Sequence, residues 1–108
     1  MKDDHPLDPR EISDLDRVVH SPTRLKVMLV LMSVEEADFT FISRTTDLTR
    51  GNLSANLTKL EEAGYINIEK KFIERVPKTI VSITPAGKKA LENYSNTLGP
   101  ILDSLRKI

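Results

Sequence analysis

Apolar positions along this chain recur mostly every three or four residues, and over one stretch past the middle they recur every second residue. Residues 1–9 show neither spacing, hold two prolines and three aspartates, and read as a flexible N-terminal arm ahead of one domain over 10–108. Ile12, Leu15 and Val19 share one face of a short helix predicted over about 10–19, which His20 ends. Ser21-Pro22 then marks a helix start, because Ser caps a helix and Pro suits its first turn, where the missing N–H has no partner anyway. In that helix Leu25, Met28, Leu29 and Met32 form the expected core stripe. Glu35-Glu36-Ala37-Asp38 is a polar link, and Asp38 caps a third short helix over 39–46 with Phe39 and Ile42 buried. Asp47-Leu48-Thr49 has room only for a tight turn. Thr49 caps a fourth helix, about 50–63, whose buried stripe is Leu53, Leu57 and Leu60, and Gly64 stops it.

From Tyr65 the period changes. Ile66 and Ile68, then Val81 and Ile83, alternate with polar residues as half-buried strands do. Residues 72–78 lie between them and read as the long tip of a β-hairpin that occupies about 66–84. Thr84-Pro85 repeats the pattern of capping residue and proline and opens a last helix over about 85–108. The expected fold class is α+β.

Composition narrows the chemistry. The 108 residues suffice for one modest core, and with three Phe, two Tyr and no Trp that core must be aliphatic. There is no Cys, which excludes disulfides and thiolate metal sites. No apolar run approaches the ~20 residues of a membrane span, and the N-terminus lacks the apolar stretch of a signal peptide, so a cytoplasmic protein is expected. Net charge is zero, yet unevenly placed: residues 1–38 carry five Lys/Arg against nine Asp/Glu, and residues 39–108 carry eleven against seven. That asymmetry gives a polyanion one face to meet.

Two helices joined by three or four residues and followed directly by a hairpin make a winged helix-turn-helix with a two-stranded wing. Turning Leu53, Leu57 and Leu60 inward leaves Gly51, Asn52, Ala55, Thr58, Lys59 and Glu62 outward, Glu62 too near the C-terminal end to meet DNA, with Arg50 in the first turn and Ser54 and Asn56 on the flanks. Gly51 and Ala55 allow close approach to DNA in the major groove. Arg50, Asn52 and Lys59 can hydrogen-bond bases or phosphates, and Thr49 can cap the helix or contact phosphate. Lys70, Lys71, Arg75 and Lys78 make the wing basic, suited to the flanking backbone or an adjacent minor groove. An amphipathic surface helix with a hairpin whose cations only prevent edge-to-edge pairing would share these features singly. Their conjunction favours DNA. The competing reading is a winged-helix module for protein–protein interaction that never binds DNA, which the zero net charge favours.

The run Thr49-Arg50-Gly51-Asn52-Leu53-Ser54-Ala55-Asn56-Leu57, continued by Leu60-Glu61-Glu62-Ala63-Gly64-Tyr65-Ile66, resembles the recognition-helix signature of the ArsR- and MarR-type winged-helix regulators. Ile83-Thr84-Pro85-Ala86-Gly87-Lys88-Lys89-Ala90-Leu91 and His20-Ser21-Pro22-Thr23-Arg24-Leu25 are similar to the same family's segments, so the resemblance covers about residues 15–95. It implies a homodimeric prokaryotic transcriptional regulator, acting as a repressor on double-stranded DNA with a pseudo-palindromic operator. It also implies that Ser54 and the Asn56 position, often His in relatives, face the DNA. Metal-sensing relatives use Cys or His clusters; with no Cys and only His5 and His20, no metal or other cofactor is expected here.

Leu91, Tyr94, Leu98, Ile101, Leu105 and Ile108 follow the spacing of a helix–helix seam, and the register survives Gly99-Pro100, as in a kinked helix. With Ile12, Leu15 and Val19 they form the expected dimer interface. Asp3-Asp4-His5 belongs to the arm and makes a poor metal site. No phosphate loop or nucleophile–His pair is present, so no enzyme is expected. The sequence names neither an effector nor an operator.

Overall fold

The computed structural model describes residues 7–108. Most of the expected arm, and with it Asp3-Asp4-His5, lies outside the described residues. The chain runs through a 3-10 helix (Pro9–Asp14), α1 (Pro22–Met32), β1 (Ala37–Asp38), α2 (Phe39–Thr46), α3 (Arg50–Glu62), β2 (Ile66–Ile73), β3 (Val76–Ile83) and α4 (Pro85–Arg106). The sheet is antiparallel with order β1-β3-β2.

Helix starts follow the capping residues. Ser21, Asp38, Thr49 and Thr84 each accept a hydrogen bond from the backbone N–H three residues on, and Pro22 and Pro85 occupy first-turn positions. α3 ends in a paired closure: Tyr65 N–H donates to the Leu60 carbonyl at 3.0 Å and Gly64 N–H to that of Glu61 at 2.9 Å. Gly64 has the positive φ of 80° that this closure needs. Asp47 takes φ 58° between α2 and α3, so three residues suffice to turn the chain.

Four expectations are corrected. The helix over 10–19 is instead a 3-10 helix that ends at Asp14, followed by turns. Leu15 departs into extended backbone because Asp16 binds the N–H groups of Val18 (2.8 Å) and Val19 (3.1 Å), competing with helical bonds. In α1 the buried residues are Val27, Met28 and Leu31, while Leu29 and Met32 are 60% and 50% exposed. The segment is apolar nearly all round, so periodicity could not choose its inward face. The link before α2 contains the strand β1, too short for any period, whose Ala37 and Asp38 pair with Val81 and Ile80. The sheet therefore has three strands rather than two.

The wing is tighter than expected. Its tip is not 72–78 but the two residues Glu74 and Arg75, at φ 52° and 68°, as a tight hairpin turn demands. Pro77 suggested a break, yet it sits within β3 opposite Phe72. With Ile73 and Val76 closing the turn as the hydrogen-bonded pair, the Phe72–Pro77 pair needs no N–H from Pro77. β1 ends before reaching that level.

One core holds these elements together. Val19, Val27, Met28, Leu31, Ala37, Ile42, Leu53, Leu57, Leu60, Ile66, Val81 and Ala90 are its buried residues. α1 packs on α2, α3 and β3, and α3 packs on β2. α4 is 22 residues long and continues through Pro100, and the molecule is correspondingly elongated, 64 × 25 × 21 Å.

Two fasteners tie the periphery to this core. A Cβ added at Gly87 would lie 2.2 Å from the Tyr65 carbonyl oxygen and 2.8 Å from the Ile83 side chain, so α4 starts in direct contact with the root of the wing. The Tyr65 hydroxyl donates to Asp16, joining that root to the turn before α1. Burial pushes the Asp16 carboxyl upward. The bonds from Tyr65, Val19 and Val18, with the charge of Arg24, outweigh burial and hold it below its usual value. The hydrogen bond to Asp16, with burial and the carboxylate's charge, pushes the Tyr65 phenol up to about 12.

Gly87→Ala is expected to destabilise the protein by about 2 kcal/mol, because the clash is with backbone that cannot step aside; urea unfolding measures this. Tyr65→Phe should cost about 1–2 kcal/mol at neutral pH through the lost bond to a carboxylate. A raised phenol stabilises the fold below the unfolded value near 10 and loses that contribution as pH climbs toward 12; a lowered carboxyl loses its contribution as pH falls through and below about 4. The stability gap between wild type and Tyr65→Phe should therefore be flat from pH 5 to 9 and close at both ends. A gap independent of pH would show that the bond contributes nothing.

Candidate nucleic-acid interface

Burial of Leu53, Leu57 and Leu60 fixes which face of α3 meets solvent. Arg50, Gly51, Asn52, Ser54, Ala55, Thr58 and Lys59 are all exposed, as the periodicity predicts. Thr49 is exposed too, with its hydroxyl serving as the cap that accepts from Asn52 N–H at 3.1 Å. Nothing lies within 4 Å of the position of an added Cβ at Gly51, so the first turn is open. The Thr58 hydroxyl turns back to the Ser54 carbonyl at 3.1 Å, and its methyl remains for contact.

Arg50 does not hang free. Its guanidinium stacks on the Phe39 ring, 4.6 Å from the centroid, which holds it beside the start of α2. The same recess is lined by Asp38, Thr40 and, from the wing, Lys78 and Thr79. The recognition helix and the wing thus meet, and two cations from separate elements share one concavity.

The wing cations divide by strand register. Lys71 pairs with Lys78 across the hairpin on one face, and Lys70 with Thr79 on the other. Lys71 is half-buried and lies 3.8 Å from both Glu36 and Glu69, which offset its charge and ease its repulsion from Lys78. Lys70 is exposed on the face shared with Phe72, and Arg75 is exposed at the tip. Of the four, Arg75 and Lys70 are presented outward, Lys78 faces the recess, and Lys71 is engaged within the protein.

Asn56 differs most from expectation. It is half-buried, and its amide is occupied: Oδ1 accepts from Arg24 at 3.0 Å, and Nδ2 donates to the Asn52 carbonyl (2.9 Å) and to Asn52 Oδ1 (2.7 Å). Arg24 is a residue the periodicity missed. Besides its place in the family-like segment His20–Leu25, its signal is a cation in the first turn of α1, where the helix dipole disfavours positive charge and so suggests another use.

The expected dimer residues separate as well. Leu15 and Val19 are buried in the protomer's own core, so they offer a partner no surface. Leu91 and Tyr94 pack partly against that core, and Tyr94 also bonds His20 Nδ1 at 2.8 Å. Ile12, Leu105 and Ile108 are exposed, and Leu98 and Ile101 half-buried. Leu29, Met32 and Leu102, outside the expected set, extend the apolar surface.

No helix among the described residues is long and apolar enough to cross a membrane. Comparison with known proteins gives a consistent result. Residues 23–102 match the family described as winged helix DNA-binding domain. An uncharacterized protein of Methanocaldococcus jannaschii is 36% identical over 78 residues, covering 72% of this chain and 85% of its own. The structure of a transcriptional regulator homologue from Pyrococcus horikoshii superposes with a TM-score of 0.82 at 30% identity, covering 89% of this chain and 97% of that one. A MarR-family transcriptional regulator from Silicibacter pomeroyi shares the fold at 17% identity and a TM-score of 0.65, over 89% of this chain and 62% of that one. This fold and family are those of transcriptional regulators rather than enzymes, and the chain belongs to the winged helix DNA-binding domain family.

Proposed function

We propose that the protein binds double-stranded operator DNA as a homodimer and represses transcription there. The observation that carries the reading is the shared recess, where Arg50 at the start of α3 meets Lys78 from the wing beside an open, small-residue helix face. In this reading α3 enters the major groove, with Arg50, Asn52 and Lys59 reaching base edges over the close approach that Gly51 and Ala55 permit. Ser54 and Thr58 flank the contact, Thr49 lies near phosphate, and Asn56 acts from within. Arg75 and Lys70 grip the flanking backbone or minor groove. A dimer seated across a promoter excludes polymerase, which is the simplest route to repression.

Dimerisation is supported by apolar surface that the protomer leaves uncovered. The distal half of α4 carries Leu98, Ile101, Leu102, Leu105 and Ile108, and Ile12, Leu29 and Met32 lie exposed on the elements beside it. In this arrangement residues 10–108 form the DNA-binding unit, with the segment about 10–19 and α4 bordering the partner. Two-fold symmetry would set the α3 helices about one DNA turn apart, ~34–36 Å.

Base contacts discriminate sequences by ~1–3 kcal/mol each, whereas phosphate contacts weaken all sequences alike. Asn52→Ala should shrink the ratio of specific to random-duplex binding, while Arg75→Ala should lower both and reduce the salt slope by about one. Fluorescence anisotropy across a salt series measures both quantities. Sequence preference that follows Arg75 and ignores Arg50, Asn52 and Lys59 would make the wing the reader.

Deleting residues 99–108 removes Ile101, Leu102, Leu105 and Ile108 together. A weaker dimer and weaker operator binding are expected, by sedimentation and anisotropy respectively. An unchanged dimer would relocate the interface to Ile12, Leu29 and Met32.

A further inference from the structure

We infer that Arg24 is a positioning residue for sequence reading: through Asn56 it sets the amide orientation of Asn52 and ties that orientation to the chain segment before α1. The inference rests on α3 being the reading helix and extends it to a residue on another element. Each nitrogen of the Arg24 guanidinium donates to another part of the protein. Nε donates to the Val18 carbonyl at 2.6 Å, one terminal nitrogen to the Arg17 carbonyl at 3.3 Å, and the other to Asn56 Oδ1 at 3.0 Å.

The chemistry of these groups makes the chain of bonds directional. A guanidinium only donates, so the Asn56 amide must turn its oxygen toward Arg24. Its –NH2 then points the other way and donates to the Asn52 backbone carbonyl and to the Asn52 side chain, which must answer with oxygen. Asn52 is left with its own –NH2 free on the exposed face of α3, aimed at acceptors such as purine N7, guanine O6 or thymine O4. Without Arg24 the Asn56 side chain keeps only its bond to the Asn52 backbone carbonyl, which leaves it free to swing; Asn52 then loses a fixed partner for its oxygen, and the presented group alternates between donor and acceptor. The two carbonyls held by the same guanidinium belong to the turn between the 3-10 helix and α1. Movement of that turn therefore reaches Asn52 without any rearrangement of the leucine stripe beneath α3.

The test uses the full-length chain, a duplex selected from a random-sequence pool by the wild type, and a random duplex. Asn52→Ala is the reference, and selection repeated with it should lose preference at one base pair per half-site. Arg24→Met and, separately, Asn56→Ala should lose preference at that same base pair, with the specific-to-random ratio falling about tenfold. Random-duplex affinity and its salt slope should stay unchanged, which a general loss of structure could not leave intact. Arg24→Met combined with Asn52→Ala should lose no more than Asn52→Ala alone. If Arg24→Met fails to fold, Asn56→Ala, which spares the backbone anchors, decides the matter. Preference kept at that base pair by Asn56→Ala and by folded Arg24→Met, while Asn52→Ala loses it, overturns the relay and leaves α3 as reader. No loss with Asn52→Ala overturns both.

Discussion

The placement of every outward group on α3 depends on three leucines. Burying Leu53, Leu57 and Leu60 against α1 and the sheet is worth roughly 1.5–3 kcal/mol apiece, and rolling the helix by one residue, about 100°, would forfeit most of it. No polar contact on the opposite face approaches that sum, so the exposed side chains take whatever direction the stripe allows. Sliding along the axis is prevented at the ends, by the Thr49 cap and the Gly64–Tyr65 closure. Rotation and translation are thus fixed by groups that take no part in recognition, and the recognition face is free to be small and polar.

The turn between the 3-10 helix and α1 has an importance that its length conceals. Asp16 holds Tyr65 at the root of the wing, the carbonyls of Arg17 and Val18 hold Arg24 and so α3, and His20 holds Tyr94 on α4. The reading helix, the wing and the terminal helix, all far along the chain from this turn, are joined to it through five consecutive residues. Hydrophobic packing sets the placement of these elements, and this polar junction links wing, reading helix and terminal helix to one turn.

Much of the architecture was legible because its signals are local. Ser21, Asp38, Thr49 and Thr84 announce helix starts by chemistry confined to one turn, and the α3 stripe has strictly polar neighbours that leave one inward face. Elsewhere local signals are absent or ambiguous. α1 offers apolar residues on every side, β1 is two residues long, and Pro77 looks like a break until the pairing direction of its missing N–H is known. The same division runs through the candidate site. Exposure of Arg50, Gly51, Asn52 and Lys59 followed from periodicity, whereas the engagement of Asn56 depends on an arginine 32 residues away and of Lys71 on a glutamate in the link before α2. Contacts across the fold leave no period to read.

The chain contains two tyrosines and no tryptophan, and each tyrosine is bonded to the same short turn from a different side. Its ultraviolet emission is therefore a pair of local optical gauges. Tyr65, hydrogen-bonded to a carboxylate, is quenched while the wing root is attached, and Tyr94, against the His20 imidazole, responds to attachment of the terminal helix. A ligand, a duplex or a second protomer that loosens one attachment and spares the other will change the emission of one tyrosine, which a variant lacking the other tyrosine assigns without any label being added.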